Sequence, residues 1–307
     1  MKKKLSKLQI AQKKRRDAAN EANRKITEFN KHASALYTSI TTILSLFDRI
    51  RNVPEEKMLE YEKLKDTLSD SVAKNAALMA GGGGMVTGSS IVSSSIASLI
   101  FSGAVAGPVG WAIVVITSVA RFCEAKEYEE RLENIYTLIC DRDTKSYELA
   151  VVELSERIKS IIDEAEKLEN AIAKIKTFGT DYSKMSEEQQ YELGTYVNLM
   201  NTSTMLFVKP ILGLQLKYSE QDFDKLCAVG VEKDKSYFKN HKAMVIFMAN
   251  LLFKIPLDDK DKHLLAKSLK KNKEFLSSVQ MTKKDFSADD ILMVEKALNH
   301  KYKSSAY

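Results

Sequence analysis

The sequence has little of what ends helices. It contains only four prolines, and four of its twelve glycines are consecutive, at residues 81–84. No stretch alternates apolar and polar residues in the way that a half-buried strand does. Because proline and glycine are the residues that most often interrupt a helix, their scarcity elsewhere predicts an all-α fold made of long helices.

Catalytic and metal-binding signatures are missing too. Cys123, Cys140 and Cys227 have no zinc-ligand spacing, and the four histidines are scattered, so neither a metal site nor a disulfide framework is indicated. The run from Gly83 matches G-x-x-x-x-G but has Ser89 where a phosphate-binding loop needs lysine. We therefore predict that the protein is not an enzyme and needs no cofactor.

Charge of one sign is only mildly in excess. The 47 basic residues face 41 acidic ones, for a formal net charge of +6. The basic clusters at residues 2–4, 13–16 and 270–273 have no aromatic residues interleaved, which argues against a nucleic-acid partner. A mildly basic surface suits a merely soluble protein and also one that touches anionic lipid.

No signal-peptide core follows the positive N-terminus, because lysines and arginines interrupt residues 7–16. The low cysteine content indicates synthesis in a reducing compartment. We expect the chain to be made in soluble form, and then to associate with a membrane or to be released by a route without a signal peptide.

Apolar residues recur at alternating steps of four and three in three stretches. These run from Ala22 to Ile50, from Ala125 to Ile139 and from Tyr147 to Ile175. That period keeps one apolar seam facing a neighbouring helix. It predicts an elongated bundle of long heptad-patterned helices.

These patterns divide the chain into four segments. They are the N-terminal helices (1–74), a charge-free hairpin (75–121), the return helices (122–180) and a C-terminal helical block (181–307). We expect the polar residues 2–20 to fray or project, and one helix to end near residues 140–143.

In the C-terminal block, Ser186 with Gln189 predicts a capping box at a helix start. The apolar run at 243–253 is too short to span a bilayer and predicts a buried central helix. Two amphipathic helices are expected around 258–279 and 287–301.

The feature that points to a function is an absence of charge. Between Lys74 and Arg121 there is no Asp, Glu, Lys or Arg, although charged residues make up 29% of the chain. An unpaired charge is costly both in a protein core and in lipid. Burial in one of these two environments is therefore expected.

The pattern of the charge-free segment predicts a hairpin. Its apolar arms, 85–102 and 109–120, flank a turn rich in glycine and proline. The candidate membrane-inserting residues are Met85, Ile91, Val92, Ile96, Leu99, Ile100, Phe101, Val109, Trp111, Ile113, Val115 and Ile116. The candidate hinge and turn residues are Gly81, Gly82, Gly83, Gly84, Gly103, Gly107 and Pro108.

Small residues form a stripe along the first arm. Its members are Gly88, Ser90, Ser94, Ser98 and Ser102. Such spacing allows close helix approach, which is favoured inside membranes and also occurs in close-packed soluble cores. Two hypotheses therefore stay open: an arm that enters a membrane, and an arm buried permanently in the protein.

Long heptad-patterned helices around a glycine-turned apolar hairpin resemble the cytolysin A-type α-helical pore-forming proteins, and the hairpin is similar in style to the inserting segment of apolipoprotein L-like proteins. The resemblance implies a toxin-like protein whose hidden hairpin swings out on a glycine hinge, inserts into a lipid membrane and forms a homo-oligomer, with or without a second protein component. The rival hypothesis is a soluble interaction scaffold whose hairpin is core or a docking site for a partner.

Overall fold

The computed structural model describes residues 6–80, 126–229 and 232–304. In these ranges the chain forms ten α-helices and no extended strand, which confirms the all-α prediction. The helices are α1 (Lys7–Phe47), α2 (Glu55–Ala80), α3 (Lys126–Ile175), α4 (Glu187–Val208), α5 (Glu220–Val229), α6 (Glu232–Asn240), α7 (Lys242–Leu252), α8 (Asp259–Leu269), α9 (Lys273–Ser278) and α10 (Ala288–Ser304).

Helix starts follow the expected capping chemistry. The Ser186 hydroxyl accepts from the Gln189 backbone N–H and the Gln189 side chain accepts from the Ser186 N–H, which confirms the predicted capping box of α4. Two donors that a helix terminus would leave unpaired are thereby satisfied. Ser219 and Asp222 exchange equivalent bonds at the start of α5.

Contacts group the described residues into two compact units. The first unit takes residues 6–19, 126–147 and 215–304, apart from the undescribed 230–231. The second unit takes residues 20–80 and 148–214. The division into four consecutive segments stays a prediction.

The second unit is a bundle of four helices. Lys174 Nζ of α3 lies 2.8 Å from Glu192 Oε1 of α4, and Glu164 Oε2 accepts a 3.2 Å bond from the Ser203 hydroxyl. Residue numbers fall along α3 as they rise along α4, so the two helices run antiparallel. Between α1 and α2, the Tyr61 hydroxyl donates to the Leu44 carbonyl.

The predicted seam of α1 is buried in this unit up to Ile43, whereas Phe47 is half-buried and Ile50, also half-buried, lies after the end of the helix. The positions from Ala22 onward that lie in the core are Ala22, Ile26, Phe29, Ala33, Leu36, Ile40, Ile43 and Leu44. On α3 the buried positions include Leu154, Ile158, Ile161 and Leu168. Burial of these large apolar side chains is the main favourable free energy available to the bundle.

The first unit is built around α7. Met244, Val245, Met248 and Ala249 are fully buried there, as expected for a central helix over residues 243–253. The same core takes in side chains from the starts of α1 and α3, including Leu8. The chain's first helix and its C-terminal part therefore share one hydrophobic core.

The start of α1 differs from the prediction. Residues 7–20 are helical, and Leu8, Ala11 and Ala19 are buried, so this stretch neither frays nor projects. The seam was hidden in the sequence because Arg15 occupies one of its positions and is only 2% exposed. Once Arg15 is counted as buried, the buried positions from Leu8 to Ala22 are three, four, four and three residues apart, so they stay on one face of the helix although the strict alternation is broken.

The predicted helix end near residues 140–143 is wrong. Helix α3 continues through this stretch without a break. The acidic and basic residues there suggested a solvated terminus, but Asp143 is buried and paired with Arg15 at 2.9 Å. A buried ion pair can occupy a seam position when both partners are satisfied.

The predicted helix over 258–279 is two helices, α8 and α9. The chain turns at residues 270–272, where the Asn272 side chain accepts a bond from the Phe275 backbone N–H. Asparagine is a preferred N-cap residue because its side-chain oxygen pairs with a free N–H of the first turn. The last predicted helix, around 287–301, corresponds to α10.

Candidate functional site

The predicted membrane-inserting, hinge and stripe residues, from Gly81 to Ile116, all lie outside the described residues. The structure neither confirms nor contradicts the hypothesis that these residues enter a membrane. The described chain shows what precedes and follows them. Helix α2 extends to Ala80, the residue before the glycine run, and α3 begins at Lys126.

The described helices offer no metal site and no membrane span. Within residues 6–80, 126–229 and 232–304, no group of three or more His, Cys, Asp or Glu side chains is placed to hold a metal ion. No helix in the same ranges is both long and apolar enough to cross a bilayer.

A buried charge cluster occupies the first unit. Arg15 Nε donates to Asp143 Oδ2 at 2.9 Å, and the two side chains are 3% and 6% exposed. Arg142 Nη2 donates to the other oxygen, Oδ1, at 2.7 Å. Asp143 thus accepts hydrogen bonds on both oxygens, which offsets part of the cost of burying a polar group.

Arg142 extends this cluster to α7. Its Nη1 donates to the carbonyl oxygens of Leu251 and Phe253 at 2.9 and 2.8 Å. These carbonyls lie at the C-terminal end of α7, where backbone acceptors have no partner within the helix and a cation is electrostatically favoured. One carboxylate and two guanidinium groups therefore connect α1, α3 and α7.

Two neighbours of the cluster are kept neutral. Burial raises the pKa of the Cys140 thiol to about 11, and Arg15 opposes this shift only in part. Burial also raises the pKa of the Tyr147 hydroxyl. A thiol with so high a pKa is a poor nucleophile at neutral pH, so Cys140 is a packing residue rather than a reactive one.

A small apolar cleft is present in the second unit. It has a volume of about 40 Å³ and is lined by side chains from the end of α1, the start of α2 and α4, including Phe47, Tyr61 and Leu193. Gly194 of α4 forms part of its wall, and a Cβ atom added there would meet nothing within 4 Å. The missing side chain leaves this space open.

We expect Gly194→Ala to stabilise the protein. Glycine inside a helix loses more backbone entropy on folding than alanine, a difference of about 0.5–1 kcal/mol, and the added methyl group meets no neighbour. Urea denaturation should show the free energy of unfolding rise by that amount. The control is Gly179→Ala, which should destabilise because Gly179 has φ +81°. A loss of stability in Gly194→Ala would show that the space is not open.

Sequence reasoning missed the buried charge cluster and the cleft. The cluster had one signal: Leu8, Ala11, Arg15 and Ala19 are three, four and four residues apart, which places them on one helix face in line with the seam of α1. Gly194 had the signal of an isolated glycine within a helical stretch, which favours a packing or functional reason.

No known protein family, curated protein or solved structure matches this chain. The similarity to cytolysin A-type proteins therefore consists of the sequence layout alone.

Proposed function

We propose that this chain is an α-helical membrane-permeabilising protein that inserts residues 85–120 into a lipid bilayer and then forms a homo-oligomer. The observation that supports the proposal is the lack of any charged residue from 75 to 120 in a chain with 29% charged residues. A charged side chain at the centre of a bilayer costs about 2.5–3.5 kcal/mol on insertion scales. A segment that enters lipid is expected to exclude such residues.

The arms have dimensions that suit insertion as a hairpin. At 1.5 Å per residue, the arm 85–102 would be about 27 Å long as a helix and the arm 109–120 about 18 Å. The hydrocarbon core is about 30 Å thick. The first arm is nearly long enough, and the second requires Arg121 to reach the interface or the bilayer to thin.

The described helices before and after the segment begin with acidic residues. Helix α2 has Glu55 and Glu56 in its first turn, and α3 has Glu127 and Glu129. These acids lie at helix N-termini, where negative charge is stabilised. The helical backbone of α2 reaches Ala80, so the glycines at 81–84 follow a regular helix, where residues without Cβ atoms permit a change of chain direction.

The rival proposal is a soluble scaffold that docks a partner protein. One observation favours it: Val152 and Leu212 are 61% and 60% exposed in the second unit, and the Gly213 N–H donates to Glu153 Oε2 at 3.1 Å. That bond joins the chain neighbours of the two apolar side chains, and exposed apolar side chains can contribute to interaction sites.

Residue-specific fluorescence separates the two proposals. An environment-sensitive dye is attached to a cysteine at position 100, in a chain whose three native cysteines are replaced, and the protein is mixed with vesicles that carry a quencher in their acyl chains. Insertion predicts a blue shift and quenching at position 100. A dye at position 152, on exposed α3 surface, is the matched control and should change little. An unchanged spectrum at position 100 with bound vesicles would refute insertion and favour the scaffold.

A further inference from the structure

The start of α1 is held by unusually few apolar atoms. Its buried apolar residues between positions 7 and 22 are one leucine, Leu8, and the alanines Ala11, Ala19 and Ala22. Later in the helix the buried positions carry larger side chains such as Phe29. Because the hydrophobic contribution scales with the apolar area removed from water, residues 7–19 gain much less from packing than the rest of α1.

Polar contacts therefore have a large share in holding this stretch. The Leu8 backbone N–H donates to Glu133 Oε1 at 3.1 Å, and Arg15 is bound by Asp143. Both acceptors are on α3. Of these contacts, the one between Arg15 and Asp143 is buried, where the loss of a partner is most costly.

The same carboxylate also serves the C-terminal part of the first unit. Asp143 Oδ1 accepts from Arg142 Nε and Nη2 at 3.1 and 2.7 Å, which leaves Nη1 directed at the carbonyls of Leu251 and Phe253. Asp143 thus fixes the orientation of the guanidinium that caps α7. Its other oxygen fixes Arg15.

We infer that Asp143 is a clasp that couples the opening of two parts of the protein, the start of α1 (residues 7–19) and the end of α7 with the turn after it (residues 249–257). Loss of either guanidinium removes one of the two groups that hold the Asp143 carboxylate in place, so the carboxylate is free to shift and the geometry of its remaining bond is disturbed. Coupling between two sites is reciprocal by thermodynamic necessity. The start of α1 and the end of α7 therefore share one opening equilibrium, distinct from unfolding of the second unit.

Hydrogen exchange of the full chain, followed by mass spectrometry, tests this coupling. Arg15→Met removes the contact to α1 and is expected to speed exchange about tenfold in residues 7–19 and also in residues 249–257, which Arg15 does not cap. Arg142→Met removes the contact to α7 and is expected to speed exchange in residues 249–257 and also in residues 7–19. The matched controls are Arg16→Met and Lys145→Met, which remove exposed basic residues next to the cluster and should leave both segments unchanged.

Two results would overturn the inference. One is that each substitution speeds exchange only in the segment that it contacts. The other is that residues 29–43 in the second unit speed up equally, since this would indicate global unfolding. The unaltered protein gives a check that needs no variant: in rising sub-denaturing urea, amides of residues 7–19 and 249–257 should converge on one opening free energy, and two separate values would also contradict the clasp.

Discussion

Ile100→Lys and Ile116→Lys are expected to abolish the release of a dye from lipid vesicles. Both residues lie within the charge-free segment, on different arms of the proposed hairpin. A lysine costs up to about 2.5–3.5 kcal/mol inside a bilayer on insertion scales, with the highest cost at the centre, and an oligomer repeats the cost in every subunit. Release should therefore fall below one tenth of its original rate, since 1.4 kcal/mol corresponds to about tenfold.

The control must add the same charge without touching the segment. Val152→Lys does this, because Val152 is 61% exposed on α3 and a lysine there stays in water. Circular dichroism and thermal unfolding of the variants should match those of the original protein. If Ile100→Lys folds normally and still releases dye at the original rate, the hairpin does not insert.

Asn250→Leu is expected to destabilise the first unit by about 3 kcal/mol, because an unpaired buried polar group costs about 1–3 kcal/mol. Asn250 is 7% exposed on α7. Its Oδ1 accepts from the Tyr218 N–H at 3.0 Å and its Nδ2 donates to the Tyr218 carbonyl at 2.7 Å. The amide thus pairs with both backbone groups of one buried residue, and leucine of similar size would leave both without that partner.

Urea denaturation monitored by circular dichroism measures this effect. The matched control is Asn201→Leu, since Asn201 is exposed on α4 and should change the free energy of unfolding by less than about 0.5 kcal/mol. A similarly small change in Asn250→Leu would show that the amide does not hold the chain at Tyr218.

The parts of the fold that were predictable are those with a local chemical signal. The capping residue Ser186 marked a helix start, and the apolar run around Met248 marked a buried helix. Each of these signals operates within a few residues, through backbone pairing or through burial of consecutive apolar side chains. They need no knowledge of the partner helix.

The parts that were missed depend on partners distant in sequence. Arg15 and Asp143 are separated by 128 positions, and each alone reads as a solvated charge. Only their pairing in three dimensions buries them along the seam. Because the sequence does not show this pairing, the charged residues near Asp143 suggested an end of α3 where the helix in fact continues. The cleft at Gly194 likewise depends on side chains from α1 and α2 that no pattern within α4 contains.

The candidate site is a prediction from composition alone, because the absence of charge from 75 to 120 is a property of the sequence. How that segment is used depends on the lipid or protein that it meets, and this remains the proposal. The described helices add the boundaries of the chain on either side of this segment, at Ala80 before it and Lys126 after it.

The most direct test is to incubate the purified protein with dye-loaded vesicles of neutral or anionic lipid and to float the same mixtures through a density gradient. The account predicts dye release together with co-flotation, at a rate that rises steeply with protein concentration because the active species is an oligomer. Vesicles that stay sealed and separate from the protein in every lipid composition would contradict it, and would identify the charge-free segment as buried core or as a docking site for a protein partner.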